Sequence, residues 1–268
     1  MMGLVDFLKA AGIEVNTNSL KIHLACWNGR EDPIDEFFKG TFKAWQEWQA
    51  HRNFQCDQVL SLVDLGQSDW LFVGLYAILS VQPHPENPKH FLYSTSLLPN
   101  QDALIGRITV HHKRSRASYI WYKADIPLTI TEIRREKLTI GEFPGYNAVA
   151  LPHSRLKIVI EQQIPSWHHA LINIKGIYLI TDSSSGKHYV GKASGNDGIW
   201  NRWCEYADNG HGGNVQLKKL LKDHGPTHMQ HFQYSILEIA DTHASEADIL
   251  KRESHWMDVL KSREFGLN

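Results

Sequence analysis

The sequence predicts an α+β protein of two domains, on three observations. Its 268 residues exceed the roughly 100–200 of one ordinary domain, and 42% apolar with 21% charged residues is the composition of a globular chain. Between residues 70 and 160, short β-branched and aromatic runs alternate with turn clusters. Over residues 172–268, strand-period and helix-period segments alternate instead. The expected domains are therefore residues 1–165 and 172–268, with the link in the loosened run Glu161 to Ile172.

Within the first domain, Val5, Leu8 and Ala11, then Phe37, Phe38, Phe42, Trp45 and Trp48, recur at three- and four-residue steps. A helical flank over 1–60 is expected. Trp70–Leu79, Phe91–Tyr93, Arg107–His111, Tyr119–Tyr122 and Leu156–Ile160 read as strands, giving a β-rich part over 70–160 with a curved or barrel-like sheet. In the second domain, Lys175–Ser183 and His188–Ala193 read as a hairpin turning at Ser184-Ser-Gly-Lys187. Ile199–Asp208 and Val215–Asp223 read as helices, Phe232–Ala240 as a third strand, and Ala247–Lys261 as a long amphipathic helix. Ser245 followed by Asp248 supplies a capping pattern at its start.

Composition excludes several classes. No stretch approaches the roughly 18 apolar residues of a membrane span, and the first residues have no basic flank before a long apolar core, so neither membrane nor secretion is expected. Cys26, Cys56 and Cys204 are far apart and form no CxxC pair, which leaves a reduced, cytoplasmic protein as the expectation. The pairs His111-His112 and His168-His169 point to opposite sides of a strand, which argues against a histidine metal site. Net charge is −1, yet residues 107–137 hold eight basic side chains against three acidic ones. Arg114 and Arg116 at its centre are candidate phosphate contacts.

Chemistry concentrates in the second domain. Tyr178 and Tyr189 lie on the two hairpin strands, where an antiparallel pair can set both phenols on one face. Arg202 and Tyr206 are four residues apart on a helix and project from one side of it. Glu253 on the last long helix is a hard oxygen ligand suited to Mg2+. A cation for a phosphate, a carboxylate for a metal and a phenol for a proton are the parts phosphodiester cleavage needs. Each residue alone reads more simply as packing or a solvated surface.

Gly176-Ile177-Tyr178 and, further on, Tyr189-Val190-Gly191 resemble the paired tripeptides of the GIY-YIG endonuclease family. The resemblance spans about residues 172–268: Arg202 matches the family's helix arginine, Tyr206 the histidine or tyrosine four residues later, Glu253 the later glutamate and Asn268 the asparagine beyond it. The run Ser194 to Trp200 is longer than in the shortest members. The resemblance implies a small three-stranded antiparallel sheet flanked by helices, and a hydrolase using Mg2+ or Mn2+ that cuts DNA to 5′-phosphate and 3′-hydroxyl ends. It implies Glu253 as metal anchor, Arg202 as phosphate clamp, and Tyr178 or Tyr189 as the group activating water. An isolated phenol titrates near 10, about three units above neutrality, so a tyrosine base must be shifted or act through a chain. Lys192, Lys218 and Lys222 are candidate DNA contacts, with solvated surface as the alternative.

The arrangement, including Phe143-Pro-Gly-Tyr-Asn147, Trp167 and Gly198-Ile-Trp-Asn-Arg-Trp203, resembles a bacterial group of two-domain GIY-YIG proteins. Trp70-Leu-Phe-Val-Gly-Leu-Tyr76 faintly resembles a strand of PUA-like barrels. The first domain is accordingly expected to recognise DNA, with Tyr119, Trp121 and Tyr122 in the basic strip suited to stacking a modified base. A β-core with solvated arginines is the plainer reading. Three functions follow: a restriction or defence endonuclease on double-stranded DNA, a structure-selective repair or recombination nuclease, and a catalytically retired DNA-binding protein. Because one such site cuts one strand, double-strand breaks imply a homodimer or two visits.

Overall fold

The computed structural model describes residues 2–195, 198–241 and 243–268. The chain divides into Met1–Thr139 and Ile140–Asn268, about 25 residues earlier than the run where the sequence loosens.

Unit 1 contains α1 (Leu4–Ala10), β1 (Leu20–Ala25), α2 (Pro33–Lys39), α3 (Phe42–Glu47), β2 (Trp48–Gln49), β3 (Gln58–Gly66), β4 (Asp69–Pro83), β5 (Phe91–Leu97), β6 (Ile108–His111), β7 (Tyr119–Trp121) and β8 (Thr129–Ile133). Its sheet runs β2-β5-β4-β3-β1-β7, with β6 joining β4 to β8. Only β1 and β3 among these pairs are parallel. The 15-residue β4 holds β3 along one edge, and on the other carries β6 at its start and β5 towards its end. Register shifts opposite Ser61/Leu62 and at Ile78/Ser80 bend it, and the sheet curls into a half-barrel. The helical flank expected over 1–60 is thus interrupted by β1, β2 and the start of β3. In β1, Leu20, Ile22 and Leu24 pack with Leu4, Val5 and Leu8 of α1, while Lys21 and His23 are buried on the opposite face. The alternation Leu20-Lys-Ile-His-Leu24 is that of a half-buried strand, yet both of its faces are covered.

Unit 2 contains β9 (Leu151–Pro152), α4 (His153–Glu161), α5 (Pro165–Leu171), β10 (Lys175–Asp182), β11 (Lys187–Ala193), α6 (Gly198–Asn209), α7 (Val215–His224), β12 (Phe232–Ala240), α8 (Glu246–Leu260) and α9 (Ser262–Phe265). The sheet is antiparallel in the order β11-β10-β12-β9. It has four strands where three were expected, because Leu151–Pro152 pairs with Gln233 and Tyr234. The run Leu156–Ile160, expected as a strand, lies inside α4: Leu156 and Val159, three apart, enter the core with Trp203. Tertiary packing overrides the β preference of Ile and Val here. These contacts also place the boundary early. Residues 140–148 are bound to α5 by Trp167 Nε1 donating to Gly141 O, Ser166 Oγ accepting from Phe143 N, and Tyr146 OH donating to Ala170 O.

The sheet of unit 2 buries both faces. Tyr178, Ile180 and Tyr189 face the core under α4 to α6, while Ile177 and Val190 face Ile249 of α8. Strand alternation therefore sets Tyr178 and Tyr189 on one face. Ser245 caps α8 as its spacing predicts: its Oγ accepts from Asp248 N at 3.2 Å and donates to Asp248 Oδ2 at 2.6 Å. Among the described residues, no helix is long and apolar enough to cross a membrane.

Candidate active site

The site begins at the hairpin. Tyr178 stands directly opposite Gly191, and a Cβ at Gly191 would come within 2.5 Å of the Tyr178 ring. Only glycine lets that ring lie flat across the neighbouring strand. Tyr178 is fully buried and its hydroxyl lies 3.1 Å from that of Tyr206 on α6. One helical turn before Tyr206, Arg202 donates through Nη2 to the Tyr206 hydroxyl at 3.3 Å and to Gly212 O at 3.1 Å, and through Nη1 to Glu205. Its side chain keeps 30% exposure, so an unbroken chain of hydrogen bonds runs from a buried phenol to a half-exposed guanidinium. Tyr189 sits beside this chain, its ring 6.4 Å from that of Tyr206, and retains 9% exposure.

Electrostatics limit what these phenols do. Burial pushes the Tyr178 hydroxyl far above its ordinary range, and neighbouring Tyr189 adds to it; Arg202 and the hydrogen bonds pull back without restoring it. Tyr206 is raised further by burial and by its two tyrosine neighbours. The shift of Tyr178 is opposite to the one a base needs, so Tyr178 and Tyr206 stay protonated.

The loop after α6 is built around Arg202. Asn209 Oδ1 accepts from His211 N at 3.0 Å and Gly212 N at 2.7 Å, and Gly212, at φ +49°, lies where a Cβ would strike the Tyr206 ring. The glycine-rich segment thus shapes the arginine's surroundings. Glu205, which the sequence reading did not single out, joins Arg202 here, although a glutamate three residues after the arginine on one helix is a visible signal.

Glu253 lies in α8 with 15% side-chain exposure, its carboxyl raised by burial against the pull of Lys192 and Arg263. Lys192 Nζ is 4.0 Å from Glu253 and 3.9 Å from Glu246. Alternation along β11 puts Lys192 on the α8 side with Val190, across the sheet from the Tyr178–Tyr206–Arg202 chain. The six expected residues therefore occupy both faces of one hairpin. Among the described residues, no group of three or more His, Cys, Asp and Glu side chains can enclose a metal. A single half-buried carboxylate fits Mg2+ or Mn2+ of the kind completed by substrate phosphate and water.

Asn268 clamps the same hairpin. Its Oδ1 accepts from Val190 N at 2.9 Å and its Nδ2 donates to Val190 O at 2.7 Å, while Leu267 N donates to His188 O at 2.8 Å. Asn268 thus holds the backbone between Tyr189 and Gly191. Lys218 and Lys222 are exposed on α7, opposite buried Leu217 and Leu221. In unit 1, Arg114 donates to Cys26 Sγ at 2.7 Å and Ser118 Oγ at 2.9 Å, locking its own turn, whereas Arg116 is exposed. Arg107 is likewise bound to Arg134 O and Ala103 O, and Arg134 to Glu132. The basic strip is smaller than its charge count suggests.

Two solved structures are similar to part of the chain. The catalytic domain of homing endonuclease I-TevI is 30% identical, with 35% of this chain and 96% of that domain covered and a TM-score of 0.28. A point variant of the catalytic domain of intron endonuclease I-TevI is 27% identical, with coverages of 35% and 92% and the same TM-score of 0.28. No protein-family model and no curated protein sequence gave a match.

Proposed function

We propose that unit 2 is a divalent-metal-dependent DNA endonuclease of the GIY-YIG type, and that unit 1 selects where it cuts, as a restriction or defence enzyme requires. The observation that carries this reading is the hydrogen-bonded chain from Tyr178 through Tyr206 to Arg202, laid over Gly191 in the residue order of the tripeptide pattern. Such a chain places a guanidinium at the surface with its direction set from the core, which a solvated arginine does not need.

In the reaction, water attacks phosphorus, the bond from phosphorus to the 3′ oxygen breaks, and the departing oxygen takes a proton. Arg202 meets the negative charge that grows on the phosphate oxygens. Tyr189, which keeps 9% exposure where Tyr178 keeps none, orients the attacking water, while Tyr178 and Tyr206 hold Arg202 in place. Glu253 would hold Mg2+ or Mn2+, and the ion would supply further charge neutralisation to a phosphate lying at the edge strand β11, which α6 and α8 flank from its two faces. Lys192, Lys218, Lys222 and Arg116 contact the DNA backbone.

The test is cleavage with and without Mg2+ of unmodified plasmid, DNA carrying methylated or hydroxymethylated cytosine, and nicked or branched duplexes, with Glu253→Ala in parallel. Discrete metal-dependent products from the native chain alone support the reading. Products of equal yield from Glu253→Ala overturn it, and a strong preference for branched or nicked DNA replaces site selection with structure selection.

A further inference from the structure

Arg202 is held from two sides by groups of different kinds. On one side the contacts are fixed by the fold: Nη2 donates to the Tyr206 hydroxyl at 3.3 Å and to Gly212 O at 3.1 Å. Tyr206 is fully buried, and Gly212 sits in a turn tied to Asn209 Oδ1 by the amides of His211 and Gly212. The guanidinium also lies over the Tyr206 ring, 5.4 Å from its centre. On the other side Nη1 donates to the carboxylate of Glu205, three residues further along α6. The Glu205 side chain is 41% exposed, and among the described residues its carboxylate has no other hydrogen-bond or ion-pair partner.

The two sides respond differently to an arriving ligand. Breaking the Tyr206 or Gly212 contact means moving a buried ring or a backbone turn, whereas Glu205 leaves by a rotamer change at the helix surface. An exposed pair three residues apart on a helix contributes little to stability, so opening it is easy. Both Nη2 protons are engaged, which leaves a phosphate the Nη1 and Nε edge, and Glu205 stands on Nη1. A carboxylate offers that edge what a phosphate diester offers, two oxygens sharing one negative charge. With Glu205 in place, the arginine and its partner together carry no net charge.

We infer that Glu205 is a built-in competitor for the phosphate of the DNA backbone: it neutralises Arg202 at rest and is displaced when contacts elsewhere on the chain seat the DNA. The inference rests on Arg202 being the phosphate clamp of a DNA-cutting site, and adds how that clamp is controlled. Because Nη2 stays bonded to Tyr206 and Gly212, the guanidinium keeps its direction as the carboxylate swings away, and displacement uncovers a cation that is already aimed. DNA of any sequence is drawn to a protein by cations that neutralise its phosphates. Arg202, neutralised beforehand, adds little to that general attraction and engages a phosphate that other contacts already hold in place.

The test measures binding and cleavage by the full chain. Binding of a labelled random-sequence duplex is followed by anisotropy in chains that also carry Glu253→Gln, so that nothing is cut, and cleavage of the DNA panel is followed with Glu253 intact. Glu205→Gln keeps the size of the side chain and removes its charge. It is expected to bind about threefold more tightly, the worth of one exposed ion pair, and to cut correspondingly faster at DNA concentrations below saturation. Glu205→Ala should shift both readouts in the same direction, and circular dichroism checks that each variant folds. Asp208→Asn removes the same charge from α6 at a position six residues from Arg202, on another side of the helix, and should leave affinity unchanged. In chains carrying Arg202→Gln, the gain from Glu205→Gln should vanish. A native chain that cuts DNA while the Glu205 variants bind no better, or cut more slowly, overturns the competitor alone. So does an equal gain from Asp208→Asn or a gain that persists without Arg202, either of which assigns the effect to overall charge. A native chain that neither binds nor cuts any DNA overturns the DNA reading and the competitor with it.

Discussion

Each unit buries a polar cluster on one face of a sheet, and the two clusters end differently. In unit 2, Tyr178, Tyr206 and Arg202 are joined to one another and finish on a half-exposed cation. In unit 1, His23, Ser61 and Gln46 are joined to one another and finish on an uncharged amide end without a partner. A buried network that ends on a charge is organised for an anion. The first can present its cation to an anion at the surface, whereas the second stays closed.

The largest effect expected is in unit 2. Glu253→Ala should reduce cleavage to background in the presence of Mg2+ while leaving DNA affinity within about twofold, since a single carboxylate anchors the ion. Wild-type cleavage by this variant would remove the metal from α8. Acid sensitivity comes next and probes both units. Burial holds His23 at about 4, below its ordinary 6.5, with the Gln46 bond acting the other way, and burial followed by Lys157 does the same to His153 in unit 2. Between these values the unfolded chain takes up a proton that the folded chain refuses. The stability each histidine contributes is therefore complete above pH 6.5 and lost as pH falls towards 4. Up to about 3 kcal/mol per histidine is at stake. Urea midpoints at pH 7 and 4.5 should show less acid sensitivity in His23→Phe than in the native chain; an unchanged difference would mean that His23 protonates freely.

Tyr206→Phe separates orientation from charge. It keeps the Arg202 charge but removes the hydrogen bond that orients it and strands the Tyr178 hydroxyl, costing about 1–3 kcal/mol in urea unfolding. The rate of cleavage should fall about tenfold with DNA affinity unchanged; a fall in affinity alone would make Tyr206 part of the binding surface. The smallest effect is at Arg116. Arg116→Ala should lower the slope of log affinity against log salt by about one. Arg114→Ala should leave that slope alone and loosen the turn at Ser118, because its guanidinium is already engaged.

The second unit was far more legible than the first. The hairpin, both middle helices, the third strand and the cap at Ser245 follow from period and turn chemistry, and the structure has each of them. In unit 1, β1 carries the alternation Leu20-Lys-Ile-His-Leu24 of a strand, but residue type does not show that its polar side is buried as well, by α3 and by the rings of Tyr119 and Trp45. Leu156–Ile160 was misread for a related reason, since its β-branched residues serve equally well on a helix whose inner side meets Trp203. The candidate site shows the same division. Residue types at Tyr178, Arg202, Tyr206 and Glu253 were legible, whereas the engagement of Arg114 by Cys26 and the clamp of Asn268 on Val190 depend on partners 88 and 78 residues away.

By itself the sequence determined which side chains can carry the chemistry and, through strand and helix periods, which of them share an element. Those are local properties, set within a few residues by backbone geometry. The tertiary structure alone decided which of them meet: that Tyr178 reaches Tyr206, that Lys192 and Glu253 lie across the sheet from them, and that Gln46 is left with an unpaired end. Hydrogen bonding and burial act over a few ångströms in space, and the separation of two residues along the chain does not limit them.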